Sequence, residues 1–330
     1  MLVAVVAVGA WPVLTGEAAG QERRYTVAFA NLTEEPGVAI EGTGFTGREV
    51  RESLVLAARR YPIDLVFYDN QRSDARALAN AEDAIARKVQ LYILYHRDPA
   101  TNAAIVQKLK AAGIPALAIN HPAAGAPLYT IDNLAAGRIA GEALSQFAAQ
   151  HWRSQNVLAF VIGPTGATAD GIPDRVKGVT EGLKSFAPTV RVAMLDTQGN
   201  PAQVAPLLGK ALQAHPSAKL LIAATDDATA LAAKSALEWA GRLQDGAIVS
   251  HGVDRAIHGG MNDKKEIDPN NRGSIVIGSV AFYLDRVGDN VLPLALRMLR
   301  GEAVPPVTTA PHRLITASNV FIEYPPYDMN

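Results

Sequence analysis

Leu117–Leu144, LAINHPAAGAPLYTIDNLAAGRIAGEAL, is the stretch whose reading decides the fold. It completes a buried apolar strand, Pro115–Ile119, which breaks into the polar pair Asn120-His121. A Pro/Gly/Ala loop and a short apolar run, Tyr129–Ile131, follow. A helix is predicted to begin after Asp132-Asn133, because an Asp or Asn side-chain oxygen accepts a free first-turn N–H. Small residues at Ala135, Ala136, Gly137, Ala140, Gly141 and Ala143 prepare that helix for close packing. One set of strand–helix units precedes the stretch and a second follows it. The chain is therefore expected to leave one lobe and enter another here, with the polar residues bordering a cleft.

Working outward, the first half predicts strands over Arg24–Leu32, Ile63–Tyr68 and Leu91–Tyr95. A helix from Arg48 carries Val50, Leu54, Ala57 and Tyr61 on one face, and one capped by Ser73 carries Ala77, Leu78, Ala81 and Ile85. A third, Ala100–Ala112, is closed by Gly113. The second half predicts strands over Val157–Ile162, Val190–Leu195, Leu220–Ala224, Ile248–Gly252 and Ser274–Gly278. Helices over Pro173–Phe186, Pro201–Ala214, Ala228–Ala240 and Ala281–Leu299 alternate with them. Strand–helix alternation with continuous apolar strands implies an α/β fold, parallel sheets with helices on both faces. Polar residues recur where strands end: Asn31, Asn70, His96, Asn120, Gln198, Asp226, Asp254 and Ser279. Ligands of open α/β sheets bind beyond the carboxyl ends of the strands. We read Ser73, Asp132 and Asp227 as helix caps, and Asn120, His121, Asp226 and Asp254 as ligand groups.

Composition narrows the function. The 330 residues suffice for one large or two medium domains. A net charge of −1 gives no basic footprint for nucleic acid and no polybasic membrane surface. Without cysteine there is no disulfide, thiolate catalysis or Cys-ligated metal. The first twenty residues differ from the rest. Leu2–Leu14 is apolar except at Gly9 and Pro12, and small residues precede cleavage points after Ala18 or Gly20. That run is shorter than the ~20 residues a membrane span needs. Residues 1–20 are therefore expected to be a secretory signal peptide, although no basic residue precedes the apolar run.

Gly42-Thr-Gly44-Phe-Thr-Gly47 matches G-x-G-x-x-G, and Asp69 stands where a ribose-binding acid belongs. This raises the alternative of a secreted nicotinamide-dependent oxidoreductase. A dinucleotide fingerprint must form the turn directly after the first strand, and here Thr33–Glu41 intervene. A glycine loop lining the cleft is the favoured reading. No phosphate loop, nucleophile elbow or H-E-x-x-H pair occurs. The seven histidines show no metal-ligand spacing, and the Asp226-Asp227 side chains should point apart at a helix start, so neither a metal site nor a catalytic pair is expected, and no cofactor.

The order of segments resembles the ribose-binding-protein type of periplasmic sugar-binding protein. The resemblance runs from residue 24 to about 316 and rests on AEDAIARKVQLYIL (81–94), AAGIPALAIN (111–120), IDNLAAGRIAGEAL (131–144) and Arg175-Val-Lys-Gly178. AATDDATALAAKSALEWAGR (223–242) and Ser250-His-Gly-Val-Asp254 complete it. It implies two Rossmann-like lobes joined by a three-strand hinge, with no enzymatic activity. The lobes would be 21–131 plus 280–306, and 132–279 plus 307–330. Crossings would fall near Tyr129–Asn133, Gly278–Ala281 and Val304–Thr309. The lac-repressor-type regulators share this body, but carry a helix-turn-helix where this chain has its apolar leader.

The resemblance also implies ligand positions. The family's Asp-Arg pair falls on Asn120-His121, its Asn on Asp226 and its Gly-Phe-Asp acid on Asp254. Arg175 matches the R-x-x-G arginine, whereas the ligand arginine two residues earlier falls on Pro173. The hinge-side aromatic falls near Gln198, and the last-crossing Gln near Ser279–Phe282. The first-strand aromatic pair falls in the rebuilt Glu34–Val38, leaving Phe45 to supply a stacking face. Asn31 and His96 join the set as strand-end residues. The scaffold matches and the pocket differs. The implied ligand is a sugar, polyol or sugar derivative, met by Asn and Asp side chains and an aromatic such as Phe45, Tyr95 or Phe282; the acids could instead pair with a cationic group. The implied action is hinge closure for an ABC transporter permease, by a monomer in the periplasm that does not span the membrane; a periplasmic sensor domain would look alike. The Asp268–Gly273 loop and the tail Glu323–Tyr327 depart from the short family members.

Overall fold

The computed structural model describes residues 24–166, 171–186, 188–258, 265–271 and 273–325. The expected signal peptide lies outside these residues, as do Arg272 and the end of the tail.

The chain folds as two sheets, each flanked by helices. The first is built from β1 (Tyr25–Asn31), α1 (Gly47–Ala58), β2 (Ile63–Asp69), α2 (Asp74–Ala86), β3 (Leu91–Leu94), α3 (Pro99–Ala111), β4 (Ala116–Ile119) and β5 (Leu128–Thr130). The second is built from α4 (Asn133–His151), β6 (Val157–Gly163), α5 (Ile172–Phe186), β7 (Arg191–Asp196), α6 (Val204–Ala214), β8 (Lys219–Ala224), α7 (Asp227–Trp239), β9 (Gly246–Gly252) and β10 (Val276–Ala281). The chain returns as α8 (Val287–Leu299) and β11 (Val307–Thr309), then ends in β12 (Arg313–Ile315) and α9 (Val320–Glu323). Strand order is β11-β5-β4-β3-β1-β2 in the first sheet and β12-β10-β9-β8-β6-β7 in the second. All pairings are parallel except β10 with β12.

Local chemistry starts and stops these elements as the sequence suggests. Ser73 and Asp132 cap α2 and α4 by accepting N–H groups of Arg76 and Ala135. Thr46 and Glu49 close a reciprocal capping box on α1. One helix start differs from expectation. The segment expected to be helical from Ala281 stays in β10 through that residue, and Tyr283 adopts a left-handed conformation at φ 53°. A regular α-helix cannot run through that residue, so α8 begins only at Val287.

Among the described residues three crossings join the sheets. The first lies at Ile131–Asp132, between β5 of the first sheet and α4. β10 lies in the second sheet and β11 in the first, so the other two follow Ala281 and Thr309. His312 gathers all three: its Nε2 accepts from Asp132 N–H at 3.0 Å and its Nδ1 donates to the Ala281 carbonyl at 3.0 Å.

Helices α4 and α5 pack backbone to backbone. A Cβ added at Gly137 would sit 2.1 Å from the Arg175 carbonyl oxygen, and one at Gly178 the same distance from that of Leu134. Gly141 and Gly182 repeat the arrangement one turn on. The small residues of the opening stretch thus admit α5 and place its first turn against the cleft. Overpacking such a contact costs about 1–3 kcal/mol. We expect Gly137→Ala and Gly178→Ala each to lower the urea midpoint by that equivalent with an unchanged m-value.

Candidate ligand-binding cleft

Beyond the carboxyl ends of both sheets, the segment between β1 and α1 forms a hairpin arm. Ala39 bridges Thr46, Ile40 N–H donates to the Phe45 carbonyl at 2.9 Å, and Thr43 N–H closes on the Ile40 carbonyl at 3.0 Å. The central residues of this turn, Glu41 and Gly42, have φ of 55° and 57°. Two consecutive positive φ angles are the mark of a type I′ turn. Ile40 and Phe45 anchor the arm in the core. The G-x-G-x-x-G glycines therefore do not form a strand-to-helix turn: β1 ends at Asn31, α1 begins at Gly47, and the arm stands between.

The tip of the arm meets both lobes. On the first, Tyr95 Oη donates to Glu41 Oε1 at 2.6 Å, and His121 Nε2 lies 3.1 Å from the same oxygen. Asn120 Nδ2 donates to Tyr95 Oη at 3.2 Å, and its Oδ1 accepts from Ile131 N–H at the first crossing. On the second lobe, the fully buried Arg175 donates to the Glu41 carbonyl at 3.0 Å and the Gly42 carbonyl at 2.8 Å. It also reaches the Thr225 carbonyl and Asn133 Oδ1, and lies 4.6 Å over the Phe282 ring. Asp254 packs against Gly44, where an added Cβ would fall 1.6 Å from Asp254 Oδ2. Burial pushes the Glu41 carboxyl up, but the hydrogen bond and charge of His121, the Tyr95 hydroxyl and the charge of Arg97 outweigh it, leaving it below its ordinary value. Burial and the Glu41 charge hold the Tyr95 hydroxyl well above its ordinary value, so it remains a donor.

Asp254 is aimed by strain. Val253 has φ 63°, a genuine outlier for a β-branched residue, directly after β9. Its N–H donates to Ser279 Oγ, and Asp254 N–H donates to Asp227 Oδ2 at 2.7 Å. Ser250 and Ser279 hydroxyls both donate to Asp227 Oδ1. Burial and the nearby Asp254 charge push the Asp227 carboxyl above its ordinary value, against these donors. Burial raises Asp254 as well.

The expected site residues thus divide. His121, Arg175 and Asp254 meet the arm directly, Asn120 reaches it through the Tyr95 hydroxyl, and Phe282 lies under the Arg175 guanidinium. Asp226 does not join them: it is the N-cap of α7, accepting from Thr229 N–H at 2.7 Å. Of the two neighbouring acids, Asp226 rather than the expected Asp227 caps the helix, and Asp227 turns inward to brace Asp254. Phe45 is 3% exposed and packed in the core rather than offering a stacking face. Asn31 ties β1 to α1 through the Gly47 carbonyl, His96 contacts Asp74 at the start of α2, Ser279 supports Asp227, and Gln198 lies exposed in the turn after β7. Sequence reasoning missed Glu41 and Asn133, and offered Tyr95 only as a stacking face. Among the described residues no cluster of His, Cys, Asp or Glu could hold a metal, and no helix is long and apolar enough to cross a membrane.

Two sheets joined by three crossings, with polar side chains of both facing one cleft, define a two-lobed binding protein. The match of residues 37–302 to the periplasmic binding protein domain model places the chain in that family. No curated protein sequence matches it. Solved structures do, at low identity. An ABC transporter periplasmic solute-binding protein from Actinobacillus succinogenes 130z with bound D-allose is 16% identical, with TM-score 0.67 over 90% of this chain and 99% of the other. A solute-binding protein from Bacillus halodurans C-125 with bound myo-inositol is 19% identical, with TM-score 0.65 over 92% and 98%. The fructose-binding periplasmic domain of a hybrid two-component system is 16% identical, with TM-score 0.64 over 91% and 93%.

Behind the cleft, Phe282 stacks on His251 at 6.0 Å, and the His251 Nδ1–H donates to the Ala224 carbonyl at 2.8 Å. Burial, with the Arg175 charge, lowers the His251 pKa from 6.5 to about 3. The unfolded chain then binds a proton there that the folded chain refuses, so this contribution to stability is present above pH 6.5 and lost as pH falls toward 3. His258 and His312 are lowered too, so some slope has other sources. We expect His251→Gln to flatten the fall in stability across that window, by up to about 1.4 kcal/mol per pH unit, in denaturant titrations.

Proposed function

We propose that this protein is the ligand-binding component of a solute importer, closing its two lobes on a sugar, polyol or sugar derivative. The observation that carries the reading is the convergence of Tyr95, oriented by Asn120, and His121 from one sheet with Arg175 and Asp254 from the other on a single segment between the lobes. A hydroxylated ligand contacting the same groups bridges both lobes and shifts the population toward the closed form. Asp254 accepts hydrogen bonds from hydroxyls, Arg175 donates to ring or hydroxyl oxygens, and Phe282 supports the guanidinium from beneath. The protein carries out no chemistry. It acts in the periplasm as a monomer and presents the closed form to a membrane permease. Family membership and the sugar and polyol ligands of the solved relatives support this reading. The two-component relative favours a second one, a sensor domain with the same cleft.

The test is thermal unfolding of the purified protein against pentoses, hexoses, polyols and amino sugars, with NAD and NADP included. A ligand at 100 times its Kd adds about 2.7 kcal/mol. We expect a stabilising shift from a carbohydrate or polyol, and its loss in Asp254→Ala. A shift with a nicotinamide alone, or an undiminished shift in the variant, contradicts the assignment.

A further inference from the structure

The arm occupies the cleft in the manner of a ligand, and its chemistry is specific. Glu41 is 3% exposed, yet it belongs to a loop whose flanking residues Glu35, Pro36 and Gly37 are exposed. It stands at the first central position of its turn with φ 55°. Gly, Asn and Asp suit that position; for glutamate the left-handed conformation is strained. Local propensity therefore does not explain a glutamate here. Its carboxylate contacts do.

Those contacts belong to the scaffold. Tyr95 and His121 follow β3 and β4, and their rings stack at 6.1 Å with 26° between planes. Asn120 orients the Tyr95 hydroxyl. A buried phenol donor, an imidazole donor and the nearby Arg97 charge make a seat for a carboxylate, whichever molecule brings it. Opposite, Arg175 binds two neutral oxygens of the same guest, the Glu41 and Gly42 carbonyls. Anchoring of Ile40 and Phe45 in the core leaves only the turn between them to withdraw.

We propose that the Glu41–Gly44 turn is an internal stand-in for the ligand, and that the ligand is a polyhydroxy acid such as a uronate or aldonate. Its carboxylate replaces that of Glu41 at Tyr95 and His121, while its hydroxyls take the places of the arm's carbonyls at Arg175 and reach Asp254. This deepens, and rests on, the reading of the cleft as a carbohydrate site. Glu41 then acts as a competitor that sets a threshold: ligand binds only where it outmatches the tethered carboxylate.

The experiment is isothermal titration with matched pairs: glucose and glucuronate, galactose and galacturonate, glucitol and gluconate. The protein is compared with Glu41→Gly, a residue that favours the turn's conformation while deleting the competitor. We expect wild type to prefer the acid of at least one pair. Glu41→Gly should bind that acid about tenfold more tightly, a 1.4 kcal/mol gain, with little change for its neutral partner. His121→Gln should erase the preference. Neutral members binding wild type as well as or better than their acids overturn this proposal and leave the carbohydrate reading standing. Binding of no pair by either chain overturns this proposal, and the wider sugar and polyol panel decides the carbohydrate reading. Should Glu41→Gly fail to fold, the acid-to-neutral preference of wild type, and its loss in His121→Gln, decide the question.

Discussion

A guanidinium buried where two lobes meet is the constraint on which this cleft depends. Taking a charge out of water is costly unless hydrogen-bond acceptors surround it. Arg175 finds acceptors in Asn133 and Thr225 of its own lobe and in the main chain of Glu41 and Gly42 from the other. Its position follows from the glycine contacts of α4 and α5, because α5 can reach α4 only where Gly137, Gly141, Gly178 and Gly182 remove the intervening side chains. The same packing places Asn133, at the start of α4, beside the guanidinium. Helix packing, burial of charge and the approach of the arm are thus one arrangement.

The second organising device is a braced strain. Val253 in a left-handed conformation turns the chain after β9 so that Asp254 faces the arm. Such a conformation persists only where its surroundings over-determine it. Asp227 supplies the determination, holding Asp254 N–H, Ser250 and Ser279 at once. A buried carboxylate behind the cleft therefore governs the direction of the one beside the arm.

The fold was legible because its signals are local. Apolar runs of strand length, helical periodicity and caps at Ser73 and Asp132 depend on neighbours within a few residues, and the structure keeps them. The start of α8 was misread because apolar periodicity is blind to a left-handed backbone at Tyr283. The candidate cleft was half legible. Asn120, His121, Arg175 and Asp254 stand at element boundaries where α/β sheets present ligand groups. Adjacent acids at one helix start, Asp226 and Asp227, cannot be told apart by type, since which one caps is set by how β8 delivers the chain. Glu41 was invisible because everything that buries it is remote in sequence: Tyr95 is 54 residues away, His121 is 80 and Arg175 is 134.

The interleaving of the chain between the sheets bears on how the molecule is made. The edge strand β11 and helix α8 of the first sheet's lobe come from residues 287–309, after the whole second sheet except β12. Helix α8 closes on α1 so tightly that Gly288 meets the backbone of Ser53. An emerging nascent chain therefore cannot seal its first lobe until the body of the second has been synthesised. Closing so long a loop carries an entropic cost and slows folding. Until then the apolar face that α8 covers stays open to water, and that interval is when a chaperone has a surface to hold.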